Sequence, residues 1–168
     1  FLKEVNSGKR IPLGKEVIVV GGGNTAIDSA RVAWRMGSKV TVIYRRAKED
    51  MPAIAQEVEE ARKEGVEFIF HAAPEKIIGK SGKVQRVECL KTKPGRADAS
   101  GRRAPVPIKG SNFSLKADIL ILAVGERADL TILPEGMKTE NGLIAADFWG
   151  RTNLPGIFAG GDAATGQG

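Results

Sequence analysis

Cysteine is almost missing: Cys89 is the one such residue among 168. That excludes an internal disulfide, a C-x-x-C dithiol and a cysteine-rich metal site within this chain. It suits a reducing compartment, so a cytoplasmic setting is expected. Aromatic residues are also scarce, at 5%, and most sit inside apolar runs. Nucleic-acid binding calls for a basic face, often with exposed aromatics for stacking. The net charge is +6, but the basic residues are spread along the chain. Only Arg45–Arg46–Lys48 and Arg102–Arg103 cluster, so no nucleic-acid partner is expected. No apolar run approaches the roughly 18–20 residues of a membrane span. Residues 1–10 lack the apolar core of a secretory signal. No Ser/His/Asp set, metal-ligand spacing or carboxylate pair stands out, and no internal repeat is present.

What is present is a soluble composition, 42% hydrophobic and 27% charged, in a length suited to one domain with its own core. Residues 1–14 read as a helix remnant and linker. The run KEVIVV (15–20) is a strand that ends at three glycines. Residues 25–36 read as a helix whose Ala26, Ala30 and Ala33 form a narrow face for close packing, stopped by Gly37. KVTVIY (39–44) is a second strand, apolar at nearly every position, as expected when both sheet faces are covered. Residues 52–64 predict a second helix, opened by Pro52 and closed by Gly65. Ile54, Val58 and Ala61 form its buried stripe, and Glu59–Lys63 an i,i+4 ion pair. Residues 66–70 form a third strand. Short strands at 75–78, 84–92 and 113–115 then suggest an antiparallel β meander used as a crossover. Residues 94–110 are read as flexible and turn-rich. ADILILAV (117–124) is a buried strand stopped by Gly125, and 142–146 and 156–159 are short strand candidates. The fold class is therefore α/β: a Rossmann-like three-layer dinucleotide-binding domain with a β-meander crossover. Its expected divisions are 1–14 as helix remnant and linker, 15–133 as the dinucleotide-binding domain, and 134–168 as a return segment.

Gly21, Gly22, Gly23, Asn24, Thr25 and Ala26 fit G-x-G-x-x-A. The first glycine permits the tight turn, and Gly23 lets the backbone approach a pyrophosphate. Ala26 is the small residue where helix meets strand. The helix N-terminus would then face the phosphates. The fingerprint alone is weak, but it sits between a buried strand and a helix within a βαβ unit of about 30 residues. About 20 residues on, NAD-binding proteins place an acid against the ribose 2′-hydroxyl. Here Tyr44-Arg45-Arg46 stands instead. An arginine grips a 2′-phosphate by charge-assisted, bidentate bonds where a carboxylate would repel it. The expected cofactor is NADP(H), with the sequence leaving open which arginine does more.

Gly125 and Glu126, at the carboxyl end of a strand, are candidates for the nicotinamide side, with an ordinary turn as the alternative. Met51 is read either as an adenine cover or as packing at the helix entry. His71 reads as a strand-end histidine rather than a proton donor. Cys89 reads as a buried thiol. By spacing alone, Gly161 and Asp162 form an ordinary acid-bearing turn.

The runs GGGNTAIDSA, VTVIYRR, MPAIAQEVEEARKEGVEF, RRAPVPIKGS and LPGIFAGGDAA together resemble the small (β) subunit of NADPH-dependent glutamate synthase and its relatives, including the flavin- and NADPH-binding part of dihydropyrimidine dehydrogenase. The resemblance covers essentially the whole chain. It implies an NADPH-binding domain inserted into an FAD-binding domain, with electrons passing from NADPH to FAD and through iron–sulfur clusters to a partner's active site. On that basis Gly160, Gly161 and Asp162 match a motif that contacts FAD. The family's N-terminal FAD fingerprint and cysteine-rich cluster segment do not occur here. The chain begins within an expected connecting helix and stops before the helix expected after Asp162, so it resembles an excised domain. FAD, the cluster segment and a large catalytic subunit are expected to belong to the parent assembly, and the chain alone is expected to bind NADPH without turnover. Where relatives often carry Gln and a nearby Pro after Gly125, this chain has Glu126-Arg127-Ala128. The alternatives are another flavin-linked reductase of the pyridine nucleotide-disulfide-reductase type, such as a thioredoxin-reductase-like enzyme, and a non-catalytic dinucleotide-binding module.

Overall fold

The computed structural model describes residues 1–97, 103–125 and 129–166. The chain divides into two compact units, Phe1–Gly125 and Glu126–Gly168.

In the first unit, helix α1 (Leu2–Asn6) leads by an extended segment to strand β1 (Glu16–Val20). Helix α2 (Asn24–Arg35), strand β2 (Lys39–Ile43), a 3-10 turn (Lys48–Asp50), helix α3 (Ala55–Glu64) and strand β3 (Glu67–Ile69) follow. The crossover consists of β4 (Ala72–Lys80), β5 (Lys83–Ala97), β6 (Arg103–Pro107) and β7 (Phe113–Lys116). Strand β8 (Ile119–Leu122) then returns beside β1. The central sheet is parallel, in the order β3-β2-β1-β8, as in half of a doubly wound fold.

The near-continuous apolar character of β1 and β2 follows from their two covered faces. Val17 and Val19 of β1, with Val40 and Val42 of β2, pack against Ala26, Ile27, Ala30 and Ala33 of α2 and Val58 and Ala61 of α3. Ile18, Val20 and Ile43 point the other way, onto Ala72, Val87 and Cys89 of the meander and onto Ala117. Helices, parallel sheet and meander are thus the three expected layers, and the period-2 alternation of the strands feeds both interfaces. The alanine face of α2 has no side chain beyond Cβ, which lets the helix lie close on the sheet. Leu13 in the linker is buried in the helix-side core, with Ile11 and Phe1 packed against it.

Several expectations are corrected. The second helix starts at Ala55, not at 52, and Ile54 stands at its N-cap 54% exposed rather than in the buried stripe. Extended backbone at Met51 and Ile54 delays the helix, because this segment is bonded to the glycine turn instead. Glu59 pairs with Lys48 and Arg62, and not with Lys63. The stretch 94–110 is not a loose loop: its described part continues β5 and pairs with β6, Thr92 to Pro107 and Pro94 to Pro105. Proline is tolerated where a ladder does not need its N–H, so the prolines did not break these strands. Leu122, the last residue of β8, and Val124, past its end, are exposed rather than buried; among the described residues β8 closes the sheet order and pairs with β1 alone. Residues 156–159 contribute only an isolated bridge, Arg151 to Phe158.

The second unit holds a small hairpin, β9 (Thr139–Glu140) with β10 (Leu143–Ile144), and the short helix α4 (Asp162–Thr165). The Asp147 carboxylate knots a turn here. It accepts the amides of Trp149 and Arg151, each at 2.9 Å, and the Arg151 guanidinium at 2.7 Å. No helix among the described residues is long and apolar enough to cross a membrane.

Candidate functional site

The carboxyl ends of β1, β2 and β8 converge on the glycine turn. Its three glycines stand in three different surroundings. Gly21 has φ +147°, and a Cβ there would lie 2.2 Å from the carbonyl oxygen of Ala123, just past β8. A Cβ on Gly22 would lie 2.4 Å from the Tyr44 ring, just past β2. At Gly23 a Cβ would meet no protein atom within 4 Å, and its φ of −89° and ψ of 175° are open to any residue. Neither sterics nor backbone strain demands glycine at position 23. The side of the turn that Gly23 faces is open.

Gly23 is the N-cap of α2, and the first turn of that helix carries no acidic residue. Gly23 is half-buried, and Asn24 and Thr25 are exposed. The carbonyl of Gly23 accepts the amides of Ala26 and Ile27 at 2.9 and 3.3 Å, whereas the amides of Gly23, Asn24 and Thr25 donate to no acceptor among the described residues. Together with the positive end of the α2 dipole, these donors form a cradle for an anion. The residues present therefore fit a dinucleotide pyrophosphate.

The turn is braced from the segment before α3, a support that sequence reasoning missed. The amide of Ala53 donates to the Gly22 carbonyl at 3.0 Å. The amide of Ile54 donates to Asn24 Oδ1 at 2.9 Å, so the Asn24 side chain supports the turn. Tyr44 Oη donates to the Asp50 carbonyl at 2.7 Å, which holds its ring beneath Gly22. Met51 is half-buried against the helix-side core, the packing role.

The structure separates the two arginines that follow β2. Arg45 is exposed. Arg46 is 7% exposed, and its Nε donates to the carbonyl of Arg103 at 2.9 Å. The backbone of both is sewn to the meander: Thr92 Oγ1 donates to the Arg45 carbonyl at 2.7 Å, and the His71 amide to the Arg46 carbonyl at 3.1 Å. His71 is half-buried at this seam with φ +52°, and its own carbonyl accepts the Thr92 amide at 2.7 Å. It serves as a backbone junction.

Gly125 is exposed with φ +106° and open space at its Cβ position. Glu126 lies outside the described residues. In the second unit, Gly161 has φ +62° and precedes the exposed Asp162, the first residue of α4. Cys89 is fully buried in the meander-side core, and burial pushes its thiol up to about 11, far from a reactive thiolate. No cluster of metal-binding side chains occurs among the described residues.

Residues 2–168 match the sequence pattern described as pyridine nucleotide-disulphide oxidoreductase. Among curated proteins, the NADP(+)-dependent formate dehydrogenase subunit beta of Moorella thermoacetica is 42% identical over 99% of this chain and 24% of its own length. The glutamate synthase [NADPH] small chain of Azospirillum brasilense is 43% identical over 91% of this chain and 33% of its own, in line with the resemblance seen in the sequence. The chain thus spans about a quarter to a third of these relatives. Among solved structures, thioredoxin reductase from Lactococcus lactis superposes with a TM-score of 0.74 at 28% identity, over 96% of this chain and 48% of that one.

Proposed function

The chain belongs to the pyridine nucleotide-disulphide oxidoreductase family, and on that premise we propose that it is the NADP(H)-binding part of a flavin-dependent oxidoreductase similar to the glutamate synthase small subunit. The observation that carries this reading is the open Gly23 side of the turn, with its acid-free helix N-terminus and an exposed Arg45 at the end of the next strand. The amides of Gly23, Asn24 and Thr25 hold the pyrophosphate, Gly21 and Gly22 let the turn close, and Ala26 lets the helix approach. Arg45 grips the 2′-phosphate, while Arg46 fastens the corner to the meander. NADPH, when bound, supplies a hydride to a flavin. Gly125 and Glu126 flank the nicotinamide side, and Gly161 and Asp162 contact FAD, which is held mainly by the rest of the parent protein. Orientation rather than proton transfer is the protein's task here. In the parent protein, electrons then pass onward through iron–sulfur clusters to a partner subunit. The names of the relatives support NADPH as the donor. The single, buried Cys89 disfavours the disulfide chemistry of the thioredoxin reductases for this chain.

Calorimetric titration with NADPH and NADH tests the reading. The wild type should prefer NADPH. Arg45→Ala should lose that preference with NADH binding unchanged, whereas Arg46→Ala should lower thermal stability as well. Equal affinity of the wild type for both cofactors would remove the 2′-phosphate assignment.

A further inference from the structure

The meander does more than cross the sheet: it walls the corner beyond β2. One cleft is lined by Arg45 and Arg46 from the strand end, Asp50 from the 3-10 turn, His71 from the seam, and Lys93 and Arg103 from the β5–β6 hairpin. Among the described residues, four cationic side chains thus converge with one carboxylate. That carboxylate is engaged, since Asp50 Oδ2 accepts the Ala47 amide at 3.3 Å. Arg45, Lys93 and Arg103 form no ion pair among the described residues. Like charges gathered at one point repel one another unless a multiply charged anion sits between them. Arg46 is committed to the Arg103 carbonyl. Lys93, in contrast, is exposed on a hairpin stiffened by the facing pair Pro94 and Pro105.

We propose that Lys93 is a second cation for the ribose 2′-phosphate, so that preference for NADP(H) is built jointly by the strand end and the crossover hairpin. The inference rests on the NADP(H) reading above and deepens it. A phosphomonoester offers three terminal oxygens and close to two negative charges. One guanidinium fork takes two oxygens and leaves charge for an ammonium on the other side. Arg45 comes from the strand end, and Lys93 faces the same cleft from the hairpin.

The test is calorimetric titration of this chain with 2′,5′-ADP and with 5′-AMP, which differ only in the 2′-phosphate. The wild type should bind 2′,5′-ADP more tightly, with the difference shrinking as salt rises. Lys93→Gln should weaken 2′,5′-ADP about tenfold, the scale of one charge-assisted contact, and leave 5′-AMP unchanged. Lys93→Arg should restore most of the affinity. An unchanged unfolding temperature for Lys93→Gln separates loss of charge from loss of fold. If Lys93→Gln binds both probes as the wild type does while Arg45→Gln loses 2′,5′-ADP, the second cation is refuted and the NADP(H) reading stands. A parallel loss of both probes in Lys93→Gln would make its role structural and also refute the proposal. A wild type that cannot tell the two probes apart would overturn the underlying reading.

Discussion

Replacing Gly23 with alanine separates binding from folding at a single atom. The structure sets both magnitudes. Alanine is a poorer N-cap than glycine, at a cost of about 0.5–1 kcal/mol. The backbone there is in an extended conformation that alanine adopts freely, and narrowing the unfolded ensemble returns about 0.4–1 kcal/mol. The new Cβ meets no protein atom within 4 Å, so no packing term is added. The two effects offset, and the midpoint of thermal unfolding should stay within about 2 °C of the wild type. The same Cβ occupies the side from which a pyrophosphate must approach. Losing two amide-to-phosphate bonds at about 1.5 kcal/mol each lowers NADPH affinity about a hundredfold. Calorimetric titration and a thermal scan of the same sample read both quantities. Gly21→Ala is the contrasting control. There the Cβ meets a backbone carbonyl at 2.2 Å with φ +147°, so folding itself should fail by about 3 kcal/mol or more. A Gly23→Ala protein that melts normally and binds NADPH as tightly as the wild type would refute the placement of the pyrophosphate at this turn.

Other outcomes follow from the same geometry. Gly22→Ala drives a Cβ into the Tyr44 ring and should destabilise by about 1–3 kcal/mol in chemical denaturation, with partial rescue by Tyr44→Leu. Bonds from the Arg31 and Arg35 guanidinium groups hold the Glu64 carboxyl down at about 2, against an ordinary 4.5. A depressed carboxyl contributes stability that is complete above pH 4.5 and fades as pH falls towards 2. Wild type should therefore exceed Glu64→Gln in stability at pH 7 and converge with it near pH 2, and a gap independent of pH would refute the link. The Cys89 thiol, raised to about 11 by burial, should resist alkylation at pH 8 in the folded protein and react once denatured. Rapid labelling under native conditions would show that the meander-side core opens.

Local periodicity and turn chemistry determined a good deal of this protein unaided. The alternation of β1 and β2, the alanine stripe of α2 and the G-x-G-x-x-A turn depend on residues close in sequence. They specified the parallel sheet, the three layers and the glycine turn. The position of two arginines at the strand end was legible for the same reason. The division of labour between those arginines was not, because Arg46 is buried by a carbonyl from the far end of the meander and sequence spacing carries no information about that partner. The β5–β6 pairing was hidden by its prolines and glycines, which read as loop until the register placed Pro94 opposite Pro105. The brace from Ala53 and Ile54 was equally invisible, since it exchanges a helical turn for bonds to a loop some 30 residues away. Short-range pattern specified the elements and the glycine turn. Tertiary structure alone decided which charges converge on the corner, because burial and long-range hydrogen bonds choose among side chains that local sequence treats alike.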